Sequence, residues 1–398
     1  MENTRSLIQP VLLSRINERQ ILRMLLEKGA LSRAEIARAA GIGPPTVSRA
    51  VEALLQSGFV EEDAPQGAFG RPAKKLRLAV RSSQVLGLVL DAERCRVVCA
   101  GLDGKVRSEL TQTFTTPDTY EELLRQAELG LRALIDVPEI ATLGIGISMP
   151  GLVDTDLQQG LLSPNLPITN GRAPGCDLEK RLGVECLVMQ EEHALCLAER
   201  YFGNARGLEN FAMLDVSTGV GLGVMSGGRL LTGQNGLAGE IGHITVDALR
   251  GRRCGCGNSG CLETVACDTA LAAIVSQRLG RKVDFEEMAA LVEAGQLTLS
   301  EELDTLCAYL AVALAAVINL FNPASLFVHG RLFALDSGLF PRLLEETRPR
   351  ALAPSFQACR IVQARGRKRQ GAIAAIIDHL FDSLVPMEIS HPTYSAVA

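Results

Sequence analysis

The sequence predicts an α/β protein with a small winged helical unit at its head, and three observations carry the prediction. Short helical patterns with explicit start and stop residues fill the first sixty positions. From residue 83 onward apolar strand-like runs alternate with amphipathic helical ones, and a strand-turn-strand layout occurs twice. Charge divides along the same line: residues 1–82 hold 13 Lys and Arg against 8 Asp and Glu, net +5, so the rest of a chain of net charge −5 carries −10. Positive excess on the small unit points to a nucleic-acid partner there, and the acidic remainder to neutral ligands.

In chain order, Asn17 to Glu27 places Ile21, Leu22, Leu25 and Leu26 at helical spacing, with Gly29 as the stop. Ser32-Arg33-Ala34-Glu35 is a capping box; Ile36, Ala37 and Ala40 follow on one face, and Gly41 ends the second helix in a tight turn. Pro44 and Pro45 open a third helix, where a missing backbone donor costs nothing, and Val47, Val51, Leu54 and Leu55 form its buried face. Thr46, Ser48 and Arg49 then point outward from its first turns, an arrangement suited to reading a major groove. Phe59-Val60 and Lys75 to Leu78 read as two strands around a loop carrying Gly67, Gly70, Arg71, Pro72 and Lys74, which is a wing. Glu61, Glu62 and Asp63 interrupt the basic face and are expected to lie away from phosphates.

Strands are expected at Val85 to Leu90, Cys95 to Leu102 and Leu143 to Ser148, with a helix from Tyr120 to Ile135. Phe211 to Asp215 and Gly221 to Met225 echo the first hairpin. The longest apolar run, Leu306 to Phe321, is shorter than a membrane span and contains Asn319, so it reads as a buried core helix. With 398 residues, 47% hydrophobic and 21% charged, the chain has core material for two or three compact units. Most of the 11 cysteines are dispersed in apolar segments, which fits small hydrophobes in a reducing compartment; the expectation is a cytoplasmic protein without membrane insertion.

Three cysteines are not dispersed. Cys254, Cys256 and Cys261 crowd into eight residues downstream of His243, between Gly239-Glu240-Ile241-Gly242-His243 and Cys261-Leu262-Glu263. Four soft ligands with glycines for tight turns are what a closed tetrahedral zinc site needs, and such a site leaves no coordination position open for water. Zn2+ is therefore the expected cofactor, as a brace and not a catalyst. Glu240 and Glu263 flank both ends of the loop, so an ion would fix their separation.

This stretch closely resembles the signature of the ROK family of bacterial sugar kinases and transcriptional repressors, and the resemblance extends over nearly the whole chain. It implies a duplicated actin-like (ribonuclease H-like) fold of two lobes with ligand between them. The expected division is a winged helix-turn-helix over 1–82, a first lobe over 83–194, to which a last helix within 371–398 returns, and a second lobe with the metal loop and an oligomerisation surface over 195–370. It implies that His243 ligates zinc through one ring nitrogen and meets a sugar with the other, while Glu240 and Glu263 accept hydrogen bonds from sugar hydroxyls. Met149-Pro150-Gly151 and Ser163-Pro164-Asn165-Leu166-Pro167 resemble sugar-pocket loops, which assigns Asn165 to the sugar. Gly70-Arg71-Pro72 resembles the wing of ROK repressors, where the arginine enters a minor groove.

The kinase parts of the pattern are less well kept. Where kinase members carry an Asp-x-Gly-Gly-Thr phosphate turn, the matching residues are Val89 to Glu93, so backbone donors have become the carboxylates of Asp91 and Glu93. Two negative groups facing nucleotide phosphates repel by ~1 kcal/mol per pair in water and more in a drier cleft. The second phosphate loop, Ser217 to Gly223, survives. The Asn-Asp pair that supplies the kinase base is Gln190-Glu191 here; the extra methylene moves the carboxylate by ~1 Å, enough to harm a near-attack geometry. The resemblance thus implies a sugar-responsive repressor that has lost kinase activity, with Glu191 left to bind sugar. Its partners would be operator DNA, a sugar or sugar-phosphate effector, and further copies of the chain as a homodimer or tetramer. A sugar kinase with an appended reader and a regulator governed by a transporter-domain partner are the competing expectations.

Overall fold

The computed structural model describes residues 3–63, 74–364 and 368–383, with side chains from Leu12 onward. Helix α1 (Asn3–Lys28) starts fourteen residues before the expected Asn17 and stops at Gly29, whose φ of 77° is the left-handed exit. After β1 (Leu31–Ser32), the capping box at Ser32 and Glu35 is formed in both directions and opens α2 (Arg33–Ala40), which Gly41 ends at φ 67°. Helix α3 (Pro44–Gln56) carries its prolines in the first turn. Strands β2 (Val60–Glu62) and β3 (Lys75–Leu78) complete a sheet of order β1-β3-β2, the two strands of a wing. The wing tip, with Gly67, Gly70, Arg71 and Pro72, lies outside the described residues.

Strands β4 (Ser83–Val89), β5 (Arg94–Ala100) and β6 (Gln112–Thr115) form an antiparallel meander; β5 ends two residues short of the expected Leu102. Helix α4 (Tyr120–Ile135) has its expected bounds because Thr119 caps it and six apolar or small residues bury one face. Next come β7 (Ala141–Met149), a hairpin of β8 (Leu152–Asp154) and β9 (Gln159–Leu162), α5 (Pro174–Leu182), β10 (Cys186–Gln190) and α6 (Glu191–Phe202).

The layout then repeats with β11 (Phe211–Asp215), β12 (Gly221–Ser226) and β13 (Arg229–Leu230). Helices α7 (Asp268–Leu279), α8 (Phe285–Glu293) and α9 (Ser300–Phe321) follow, then β14 (Ser325–His329), α10 (Leu339–Thr347), α11 (Ala353–Ala358), β15 (Arg360–Gln363) and α12 (Lys368–Ser383). The two large sheets have matching orders, β6-β5-β4-β7-β10 and β13-β12-β11-β14-β15. Each is an antiparallel meander extended by two parallel strands beside its first strand. Helix α9 is core for most of its length, but Leu320 is 77% exposed, so the apolar run is not buried throughout as expected.

Helix α12 crosses back to the first sheet, packing on β4, β7 and β10. Glycine makes the approach possible: a Cβ on Gly146 of β7 would stand 1.9 Å from the carbonyl oxygen of Ala372. At its far end α12 joins the winged domain. Ile373, Ile376, Ile377 and Phe381 share one apolar core with Ile21, Leu22, Val47 and Phe59, and the rings of Phe59 and Phe381 meet edge to face at 6.3 Å. Arg19 and Arg23 of α1 bind Asp382 at 2.6 and 3.5 Å. One helix therefore connects the cleft to the small domain.

Candidate functional site

A cavity of about 320 Å³ opens where β4, β7, β10 and β11 end, bounded by Asp91, Gly151, Asn165, Glu191, Thr218 and Glu263 among others. Placing ligands beyond the carboxyl ends of strands is the general habit of open α/β sheets. The duplicated hairpins each bring one aspartate to it: Asp91 follows β4, and Asp215 ends β11.

One end of the cavity is built on the cysteine loop. Ligand atoms of His243, Cys254, Cys256 and Cys261 all lie within 4.8 Å of one another, a cluster that can hold a metal ion. The Cys254 sulfur is 3.7 Å from Nδ1 of His243, and the Cys256 and Cys261 sulfurs are 3.7 Å apart. None of the described cysteines is in a disulfide. Backbone bridges Thr245 to Cys261 and Arg253 to Ser259 hold the loop closed on itself. Gly239 cannot be replaced here: at φ 101°, its Cβ would lie 2.0 Å from the carbonyl oxygen of Leu222.

With Nδ1 turned to the cysteines, Nε2 of His243 faces Glu240 at 3.7 Å, while Glu263 approaches Nδ1 at 3.5 Å and accepts from the Cys254 thiol at 2.9 Å. Burial raises Glu240 above the usual carboxylate range, against the pull of His243 and of the Gln190 amide, which donates to it at 3.0 Å. Asn165, Glu240, His243 and Glu263 thus line one cavity. Gln190 was not anticipated as the group that orients Glu240.

The other end differs from the expected picture. Glu191 begins α6 but is not a free carboxylate: Nζ of Lys368 sits 2.6 Å from it and 3.9 Å from Asp215. Asp215 in turn binds Nδ1 of His329 at 2.7 Å and accepts from the Ser217 hydroxyl at 2.8 Å. Burial alone would lift Asp215, but the Lys368 charge and the His329 contact outweigh it and hold the carboxyl low. Burial likewise works against the charged Lys368, and the negative charges of Glu191 and Asp215 reverse that, raising it. The Ser217 to Gly223 loop is held at Thr218, whose carbonyl oxygen accepts from Cys267 and Thr269. His193 is a core histidine 1% exposed, with its Nε2 3.1 Å from the Ala238 carbonyl oxygen and its basicity reduced by burial.

Glu192 packs beside Gly221 and is pushed up to about 8 by burial, then by the charges of Glu191 and Glu240. An acid whose folded value lies above its unfolded one costs stability as pH rises from about 4.5 to about 8, because ionisation is harder in the fold. Glu192→Gln is therefore expected to raise the melting temperature by a few degrees at pH 8 and to change it little at pH 4.5. Calorimetry at the two pH values checks this; equal shifts would contradict it.

In the winged domain, Ser48 and Arg49 are exposed on α3 and Thr46 is half-buried at its start. Lys74 is exposed at the foot of the wing but pairs with Glu62 at 2.6 Å. The acidic triplet is neutralised from within: Glu61 binds Arg77 and Arg81, Glu62 binds Arg33 and Lys74, and Asp63 binds Arg77.

The fold and cleft define a class of protein, a winged helix-turn-helix joined to a two-lobed body with a ligand cavity. The model of the ROK family matches residues 87–378, and that of winged helix-turn-helix DNA-binding domains matches residues 14–61. The chain belongs to the ROK family. It is 30% identical over 346 residues, 83% of this chain and 84% of the relative, to the DNA-binding transcriptional dual regulator NagC of Escherichia coli K12. The xylose repressor of Bacillus subtilis is 24% identical over 380 residues, covering 93% of this chain and 97% of that one. Among solved structures, a ROK family transcriptional regulator described as a homologue of the E. coli MLC protein superposes with a TM-score of 0.80 at 26% identity, covering 94% of this chain and 98% of its own. A ROK hexokinase from Thermus thermophilus reaches 0.62 at 28% identity, over 75% of this chain and 98% of that one.

Proposed function

We propose that this protein is a sugar-responsive transcriptional repressor: a cytoplasmic, zinc-braced sugar sensor whose reading heads release operator DNA when the cleft is filled. The observation that carries the reading is helix α12, which enters the cleft at Lys368 and, about 20 Å further along its axis, forms part of the winged domain's core at Phe381. Only a ligand with different affinity for two arrangements can shift DNA binding, and α12 gives both sites a common element. The relatives named as N-acetylglucosamine and xylose repressors support a neutral monosaccharide or its phosphate as effector.

The metal cluster suits zinc. Bonds of about 2.3 Å to sulfur and 2.1 Å to nitrogen in a tetrahedron place ligand atoms roughly 3.6–3.8 Å apart, which the 3.7 Å sulfur-sulfur and sulfur-nitrogen separations meet. His243, Cys254, Cys256 and Cys261 would hold the ion, which supplies rigidity and fixes the imidazole tautomer. Nε2 of His243, Glu240, Glu263 and Asn165 would bind sugar hydroxyls. Loss of kinase activity is supported by Lys368, which neutralises the carboxylate at the base position, and by Asp91 where phosphate donors belong. Two half-sites call for a symmetric dimer or a tetramer, and exposed Val312 and Leu320 on α9 offer apolar surface to a second copy. A transporter domain acting as effector is the competing outcome, in which no sugar binds.

Selection of genomic fragments by the purified protein, followed by titration with hexoses, pentoses, N-acetylhexosamines and their phosphates, tests the reading. Arg49→Ala is expected to weaken operator binding about tenfold and to reduce the salt slope by about one. Fragments retained equally with and without every sugar would overturn sugar control, and a salt slope unmoved by Arg49→Ala would remove that residue from the interface.

A further inference from the structure

A second cavity, about 650 Å³ and so roughly twice the volume of the cleft, lies between the winged domain and the second lobe. Arg19, Gln20, Arg23 and Glu27 of α1 form one wall, and Arg200, Arg206, Glu209 and the turn Gly227 to Arg229 form the other. Five guanidinium groups thus face two carboxylates. Asp382 takes up Arg19 and Arg23 from behind, and Asp378 accepts the Tyr201 hydroxyl below the floor. Arg200, Arg206 and Arg229 make no ion pair among the described residues. Arg200 stacks over Tyr201 at 5.6 Å and donates to the Gly228 carbonyl oxygen at 2.8 Å, and Arg206 donates through Nε to the Tyr201 carbonyl oxygen at 2.9 Å. These contacts fix where the side chains stand without using up their charge.

We propose that this junction is a binding site for a small phosphorylated metabolite, distinct from the sugar cleft. Planar guanidiniums present paired N–H donors that match phosphate oxygens, and a dianion between them removes the mutual repulsion of like charges held on facing walls. A ligand here touches α1 on one side and the β12–β13 turn on the other, so its occupancy fixes how the winged domain sits on the body. The chain would then read two chemical signals, a polyol in the cleft and a phosphate ester at the junction, through separate contacts on the same DNA reader. Binding at the junction is measured without DNA or sugar, so it stands or falls apart from the function proposed above.

The test uses the full-length protein and inorganic pyrophosphate as probe, with sodium chloride matched for ionic strength, in calorimetry and thermal melts. Pyrophosphate is expected to bind and to raise the melting temperature, the Arg206→Ala/Arg229→Ala double variant to lose at least about tenfold in affinity, and Glu263→Gln in the cleft to retain it. Both arginines are exposed, so the double variant keeps its fold. No binding by the wild type, equal binding by the double variant, or loss of binding in Glu263→Gln would each overturn the proposal. So would a double variant that binds operator more weakly, with a smaller salt slope, in the absence of any phosphate probe, since the arginines would then be contacts to the DNA backbone.

Discussion

Lys368→Met is expected to uncouple the two ends of the protein: sugar still binds, but operator affinity no longer responds to it. The ammonium of Lys368 holds Glu191 of the first lobe and Asp215 of the second from the start of α12. Sugar hydroxyls that engage Glu191 must compete with that contact, so filling the cleft changes the balance of forces on the first turn of the helix. The far end of α12 is not free to ignore the change, because Phe381 is fully buried against the winged domain and Asp382 is gripped by Arg19 and Arg23. Truncating Lys368 also leaves two buried carboxylates without their cation, a loss on the order of 3 kcal/mol in unfolding free energy. Lys368→Met/Glu191→Gln should recover much of that loss by removing one stranded charge, yet remain uncoupled. Operator titrations with and without saturating sugar, on both variants, decide the point. A sugar response equal to the wild type's in either variant would show that Lys368 carries no signal. Denaturant melts of the single and double variants measure the pair itself, and an unchanged midpoint would mean the ion pair contributes nothing.

How much of this was legible in the sequence depends on how far apart the cooperating residues lie. Ser32 with Glu35, Gly41, and the prolines of α3 specify helix ends through contacts within a few residues, and each does in the structure what its local pattern implies. The metal cluster was readable for the same reason: three of its ligands sit in eight residues, and short loops leave the chain little choice but to bring the sulfurs together. Glu240 and Glu263 flank the same loop, three residues before His243 and two after Cys261. Lys368 was not readable. In the sequence it stands in the basic run Arg365-Gly366-Arg367-Lys368-Arg369, where nothing separates it from a solvated charge, and the last helix was expected to begin only at Gly371. Its role arises from partners 177 and 153 positions away, brought to it by the return of α12 to the first sheet. The duplication held a usable signal that the local patterns did not: once Asp91 is placed at the first hairpin, the repeat puts Asp215 at the corresponding point of the second.

Cys261→Ser is expected to empty the metal site and, with it, most of the sugar affinity. Cys261 is fully buried at the base of the loop, pairs through its backbone with Thr245, and precedes Glu263 by two residues, so on the zinc-braced reading its sulfur would tie the Glu263 carboxylate to the ion. A hydroxyl is a far weaker zinc ligand than a thiolate, and three remaining ligands leave the tetrahedron open. Without the ion, Nδ1 of His243 has no fixed partner but Glu263, 3.5 Å away, and the ring is free to turn away from Glu240. Disturbing the groups that orient a metal-bound imidazole typically costs 10–100-fold in metal affinity or activity, and sugar binding is expected to weaken by a similar factor. DNA binding without sugar should persist, because the core around Ile21, Ile36, Val47 and Leu54, which the winged domain shares with α12 and the first sheet, includes no residue of the metal loop. Elemental analysis is expected to find about one zinc per wild-type chain and close to none in the variant, and calorimetry with the effector sugar reads the affinity. Wild-type protein purified without metal and unaffected by chelators would remove the brace from the account, and full sugar affinity in a metal-free variant would show that Glu240 and Glu263 hold their places without it.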